Sequence, residues 1–105
     1  MSPFSDRSQG RHRESYGVVL TAHVFDKVRS IDMTLAEFET LLDGGEVIEE
    51  SRIAVGVKEL VLIVEWVRPL HVVVVVDDIR GEERILTVYE PDKDRWSSDF
   101  KVRKT

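Results

Sequence analysis

The run 68-RPLHVVVVVDD-78 constrains this chain more than any other stretch: five consecutive valines stand between one histidine and two aspartates. β-Branched side chains lose rotamer freedom in a helix and pack well on a pleated surface, so the run reads as a strand. It is far too short to span a bilayer, and it is apolar on both faces, which suits the centre of a sheet. Helices are then expected over one face and partial cover over the other. Pro69 restricts the turn before the strand, and Gly81 in 77-DDIRGEE-83 marks the hairpin after it.

The flanking patterns complete a two-layer arrangement. In 34-TLAEFETLLDGG-45, Thr34 and Glu37 form a capping box, Leu35, Phe38, Leu41 and Leu42 form an apolar stripe, and Gly44-Gly45 supply a stop. An earlier helix over 21-TAHVFDKVRS-30 places Val24, Phe25 and Val28 on one face, after a short extended entry at 16-YGVVL-20. Beyond Gly45 the periodicity is that of strands, expected at about 46–53, 58–66, 70–77 and 83–90. In the last of these, strict alternation groups Ile85, Thr87 and Tyr89 on one face and Leu86 and Val88 on the other. The segment 94-DRWSSDFKVRK-104 packs back through Trp96 and Phe100, as a short helix or an edge strand. The expected fold class is α+β: two N-terminal helices packed on a twisted four-stranded antiparallel sheet, with a short C-terminal segment. Residues 1–15, rich in Ser, Arg and Gly, read as a disordered lead, and residues 16–105 as a single domain.

Charge and cysteine content narrow the function classes. Twenty acids against 15 bases give a net charge of −5, the reverse of a strongly basic nucleic-acid-binding domain. The distribution is uneven: Glu37 to Glu50 hold six acids and no base, whereas from Arg95 onward four bases accompany only Asp99. The absence of cysteine removes disulfides and thiolate metal sites. The N-terminus lacks the apolar stretch of a signal peptide, so a cytoplasmic location is expected, with no membrane partner.

No Walker loop, Rossmann glycine pattern, His-Glu-x-x-His or nucleophile elbow occurs. Of the three histidines, His12 lies in the lead, His23 opens the first helix and His71 opens the valine strand. His71 and Asp77 share a face but lie ~20 Å apart along an extended strand, which rules out a pair within it. The two aspartates read instead as the solvated hairpin end. No spacing signature supports a metal site on the histidines, and no cofactor is implied. The residue types permit metal-free RNA cleavage, in which a base takes the 2′-hydroxyl proton, an acid serves the leaving oxygen and cations hold the phosphate. On that reading His23, His71 and Tyr89 are the candidate catalytic groups, and Lys27, Arg68 and Arg103, with Arg29, the candidate phosphate partners. Packing is the competing role for Tyr89 and Trp96.

Four segments in order, 20-LTAHV-24, 34-TLAEFETLLDGGEVIEE-50, 69-PLHVVVVVDD-78 and 87-TVYEPDKDRWSSDFKVRK-104, resemble the domain of unknown function 4258 family of small bacterial proteins. The resemblance covers about residues 18–104. It implies a fold similar to RelE-type and MqsR-type toxins, which are metal-independent ribonucleases acting on messenger RNA. It also implies a partner, a small zinc-binding antitoxin of the MqsA type. His23, His71, Tyr89, Trp96 and Arg103 match the family's positions. Lys27 and Ile31 stand where the family commonly has arginine, and lysine lacks the bidentate fork that arginine offers phosphate. Arg29 lies on the opposite side of the helix from Ile31 and cannot replace the missing charge. Two expectations therefore stand side by side: a ribonuclease toxin of a toxin–antitoxin pair, and a non-catalytic interaction module on the same fold.

Overall fold

The computed structural model describes residues 16–104, so the expected lead over 1–15 lies outside the described residues. The chain runs β1 (Gly17–Leu20), α1 (Ala22–Ser30), α2 (Leu35–Asp43), β2 (Glu46–Ile53), β3 (Gly56–Ile63), β4 (Leu70–Asp77) and β5 (Glu82–Tyr89). The strands form one sheet in the order β1-β5-β4-β3-β2, which puts the valine strand in the middle. The sheet is five-stranded and mixed, where four antiparallel strands were expected. The extra strand is the four-residue entry segment, which pairs in parallel with β5. Its partner lies 65 residues away in the chain, from Gly17 to Glu82, so no local pattern announces the pairing.

Both helices lie on one face of the sheet. Thr21 caps α1 by accepting a hydrogen bond from the Val24 backbone, and its hydroxyl also donates to the Leu86 carbonyl of β5 at 3.2 Å. The capping box of α2 is present in both directions, Glu37 N to Thr34 Oγ1 at 3.1 Å and Thr34 N to Glu37 Oε1 at 3.2 Å. Val24 and Val28 of α1 and Phe38 and Leu42 of α2 are buried against Val61, Ile63, Val72, Val74, Ile85 and Val88. Phe25 and Leu35, expected in the same stripes, are 38% and 39% exposed. Helices of nine residues offer a narrow contact, and residues at its margins stay wet. The stop after α2 works through close packing rather than a left-handed glycine: Gly44 has φ −85°, and a Cβ on Gly45 would strike Val61 of β3.

Two register shifts interrupt the sheet. Between β2 and β3, Val47 faces Val61 but Glu49 faces Leu60, so Ile48 is the extra residue. Between β4 and β5, Val74 faces Ile85 but Val73 faces Thr87, so Leu86 is extra. Each is a β-bulge. The second overturns the alternation expected of β5. Ile85 and Val88 both face the helices, while Thr87 and Tyr89 face the other way with Val73 and His71.

Asp77 departs from the solvated end expected of it. It is 8% exposed, and its carboxylate accepts from the backbone N–H groups of Ile79 and Arg80 at 3.0 and 2.9 Å, which shapes the turn. Asp78 is exposed and accepts from the Tyr16 hydroxyl at 2.6 Å.

Candidate functional site

His71 is the second residue of β4, and alternation turns it away from Val72 and the helices. It has no exposed surface. Its Nε2 lies 2.8 Å from the Phe100 carbonyl and its Nδ1 lies 3.3 Å from the Tyr89 hydroxyl oxygen. A carbonyl only accepts, so Nε2 carries the hydrogen and Nδ1 of the neutral ring accepts from the Tyr89 O–H. Burial lowers the pKa of His71 below its ordinary value, against smaller opposite effects of the Phe100 carbonyl and Glu49. The imidazole is therefore neutral at pH 7. It also meets Tyr89 and Trp96 edge to face, with ring centroids 5.4 and 4.4 Å apart.

A strap covers this face of the sheet. After β5 the chain turns at 92–95, and Trp96 and Arg103 form an isolated antiparallel bridge. Ser97 N donates to the Val102 carbonyl and Lys104 N to the Arg95 carbonyl, both at 2.8 Å. At the tip, Asp99 accepts from the Ser97 hydroxyl and the Lys101 N–H, which hold its carboxyl below the usual range. Phe100 takes φ 62°, and its carbonyl reaches His71. The segment is thus a tight hairpin-like turn, neither the short helix nor the full edge strand expected. Trp96 is 4% exposed and anchors it beneath. Two ion pairs fasten it to β2: Arg103 to both oxygens of Glu49 at 2.8 and 3.0 Å, and Lys101 to Glu46 at 3.1 Å. The Arg103 guanidinium also lies 4.6 Å from the centroid of the Trp96 ring.

Beside the strap opens a cleft of about 440 Å³. Leu60 and Val73, register partners in the middle of the sheet, give it an apolar floor. Glu49, Lys58, Tyr89 and Arg103 stand around that floor. Burial raises the pKa of the Tyr89 phenol, so it keeps its proton at neutral pH. Lys58 makes no ion pair among the described residues, whereas Arg103 is held by Glu49. The arrangement joins a carboxylate, a guanidinium, an ammonium and a phenol backed by a neutral imidazole. Such a set can hold an anion and move a proton.

Of the residues expected to act together, the fold gathers His71, Tyr89 and Arg103. His23 and Lys27 belong to α1, whose Val24 and Val28 pack on the face opposite to His71. His23 is exposed and is not among the groups that touch the His71 ring. Arg29, also on α1, lies 6.0 Å over the Phe25 ring. Arg68 sits in the β3–β4 connection, paired with Glu90 at 2.6 Å and stacked 5.0 Å over Trp66, away from the cleft lining. Glu49 and Lys58 were not anticipated. Both look like solvent-facing charges in their strands, and only the cross-strand register brings them to Tyr89 and Arg103.

No family model, no curated protein and no solved structure matches the chain. Among the described residues no group of three or more His, Asp or Glu is arranged to hold a metal ion, and no helix is long and apolar enough to cross a membrane.

Proposed function

We propose that this chain is a RelE/MqsR-like ribonuclease-type domain, the toxin half of a toxin–antitoxin pair, with its site in the cleft on the strap side of the sheet. The observation that carries the reading is the convergence of Glu49, Arg103, Lys58 and Tyr89 on one apolar-floored cleft. Two helices on one face, with the other left to a site, also suit the RelE-like arrangement that the sequence resemblance implies. In this reading Arg103 and Lys58 hold the phosphate. Glu49 takes the proton of the 2′-hydroxyl as its oxygen bonds to phosphorus, and the bond from phosphorus to the 5′-oxygen breaks as that oxygen takes the Tyr89 phenolic proton, which solvent then restores. His71 has no exposed surface and acts as a positioning residue, fixing the Tyr89 hydroxyl. The partner is a small antitoxin, of the zinc-binding MqsA type by the same resemblance.

A second reading has its own support. The cation that meets Tyr89, Arg103, is already neutralised by Glu49, and the whole chain carries −5. A non-catalytic interaction module on this fold accounts for that.

Controlled expression with and without the adjacent gene, following growth and total mRNA integrity, separates the two. Growth arrest with mRNA loss, relieved by the adjacent gene and abolished by Glu49→Gln, is the outcome expected of the ribonuclease. Intact mRNA from soluble, folded protein would leave the interaction module.

A further inference from the structure

We propose that the cleft is a self-masked anion site for single-stranded phosphodiester, in which Glu49 occupies Arg103 until a ligand phosphate takes its place. The proposal deepens the site assigned above, but it concerns binding and does not require cleavage.

The charges on this face carry the argument. The register of β3 with β4 puts Lys58 opposite Val75 and Leu60 opposite Val73, so Lys58 and Leu60 share the strap side. Glu49 faces Leu60 and joins them there. Glu50 and Glu59, also at the cleft margin, are partners of each other in the row that contains Val74, whose side chain faces the helices. Two cations, Lys58 and Arg103, therefore share the strap side of the cleft with the carboxylate of Glu49, while Glu50 and Glu59 stay at its margin, on a protein of net charge −5. Lys58 and Leu60 lie ~7 Å apart along the strand, so Lys58 stands beside the apolar floor that Leu60 forms with Val73. Cations that can hold phosphate, with an aromatic ring, Tyr89, in the same lining on which a base can stack, are the elements of sequence-tolerant single-strand binding.

The mask is built to be displaced. Glu49 engages only Nε and one Nη2 hydrogen of Arg103, which leaves three of five donors unclaimed by it. The pair is solvent-exposed, with side-chain exposures of 63% and 37%, and exposed pairs contribute little. Trp96 supports the guanidinium from below through its ring face, independently of Glu49. When a phosphate takes the fork, Arg103 can stay on Trp96 while Glu49 is released. The released carboxylate then stands beside the bound anion.

The test uses the full chain and a fluorescent six-nucleotide 2′-O-methyl RNA, which cannot be cleaved through its 2′ position. Anisotropy gives affinity at several salt concentrations, with inorganic phosphate and a poly-glutamate peptide as competitors. Glu49→Gln is expected to tighten oligonucleotide binding about two- to fivefold, since it removes a weak competitor. Arg103→Lys, which keeps the charge but loses the fork, is expected to weaken it by about tenfold. Lys58→Ala is expected to flatten the dependence of log K on log salt by about 0.7, one phosphate contact to a single strand. The Arg103 Nε resonance is expected to move on adding the oligonucleotide to wild-type protein and to start near the displaced position in Glu49→Gln. Binding unchanged or weakened in folded Glu49→Gln would overturn the proposal, as would tighter binding of poly-glutamate than of the oligonucleotide. The outcomes separate from those of the functional reading: tighter binding in Glu49→Gln with intact mRNA on expression would remove the ribonuclease and keep the masked site.

Discussion

On the helix side of β4, Val72, Val74 and Val76 meet α1, α2 and the apolar residues of β3 and β5, with no more than 1% of any valine exposed. One residue out of phase, His71 meets Tyr89, Trp96 and the Phe100 carbonyl beneath a strap held by two exposed ion pairs. The same strand thus serves two different surfaces. Aliphatic packing is non-directional and proportional to the area removed from water. The strap side depends on directed contacts, each of which fails separately. Stability should reside mainly on the first side, and the chemistry and local opening on the second.

The largest expected effect tests the helix side. Phe38→Ala empties a fully buried position on α2 and should cost about 3–5 kcal/mol in urea unfolding. A loss below about 1 kcal/mol would mean that α2 does not seal that face.

His71→Phe sharpens the contrast from the other side. It keeps ring volume but leaves the Phe100 carbonyl and the Tyr89 hydroxyl without their partner, at a cost of about 1–3 kcal/mol. Amide exchange should accelerate in residues 95–104 and stay slow in β4 and α2. Equal loss of protection on both faces would break the distinction.

Acid should act through the same residue. Burial holds the folded pKa of His71 below its ordinary 6.5, so the unfolded chain takes up the proton first as pH falls. This contribution is complete above pH 6.5 and declines below it, toward the lower folded value. Its slope cannot exceed about 1.4 kcal/mol per pH unit, the value for one proton. Denaturation series at pH 7.5 and 5.5 should show a larger acid loss in wild type than in His71→Phe. Parallel losses would contradict the assignment.

The smallest effect is that of Lys101→Ala, which removes one exposed strap fastening. It should cost no more than about 1 kcal/mol, and the difference should vanish in 1 M salt, where charges are screened within about 3 Å. A larger, salt-independent loss would mean that the strap is held as firmly as the helices.

Much of the helix side was legible in the sequence because its signals are local. The capping box of Thr34 and Glu37, the Val24/Val28 and Phe38/Leu42 spacings and the valine run each specify their own element. The pairing of β1 with β5 was not legible, since four residues of modest exposure carry no mark of a distant partner. The site was half legible. His71, Tyr89 and Arg103 stand out by type and place, but Glu49 and Lys58 resemble ordinary strand charges until register places them. His23 shows the reverse error: its residue type suits catalysis, yet α1 carries it on the other face of the sheet.

The two bulges have a consequence for how this site tolerates length change. A strand reverses facing with every residue, so inserting or removing one residue changes the parity of everything beyond it. Ile48 and Leu86 are such insertions, the first immediately before Glu49 and the second three residues before Tyr89. Counted without them, Glu49 would fall opposite Glu59 and Tyr89 opposite Leu70, both on the helix side. Pairing Leu86 into the ladder would therefore point the phenol at the valine core and Val88 at the imidazole, with no side chain in the site replaced, whereas deleting Leu86 would only straighten the strand and leave Tyr89 opposite His71. The Thr21 hydroxyl bound to the Leu86 carbonyl ties this parity to the start of α1. In this domain the reading frame of two strands, as much as the identity of any residue, decides whether a site exists.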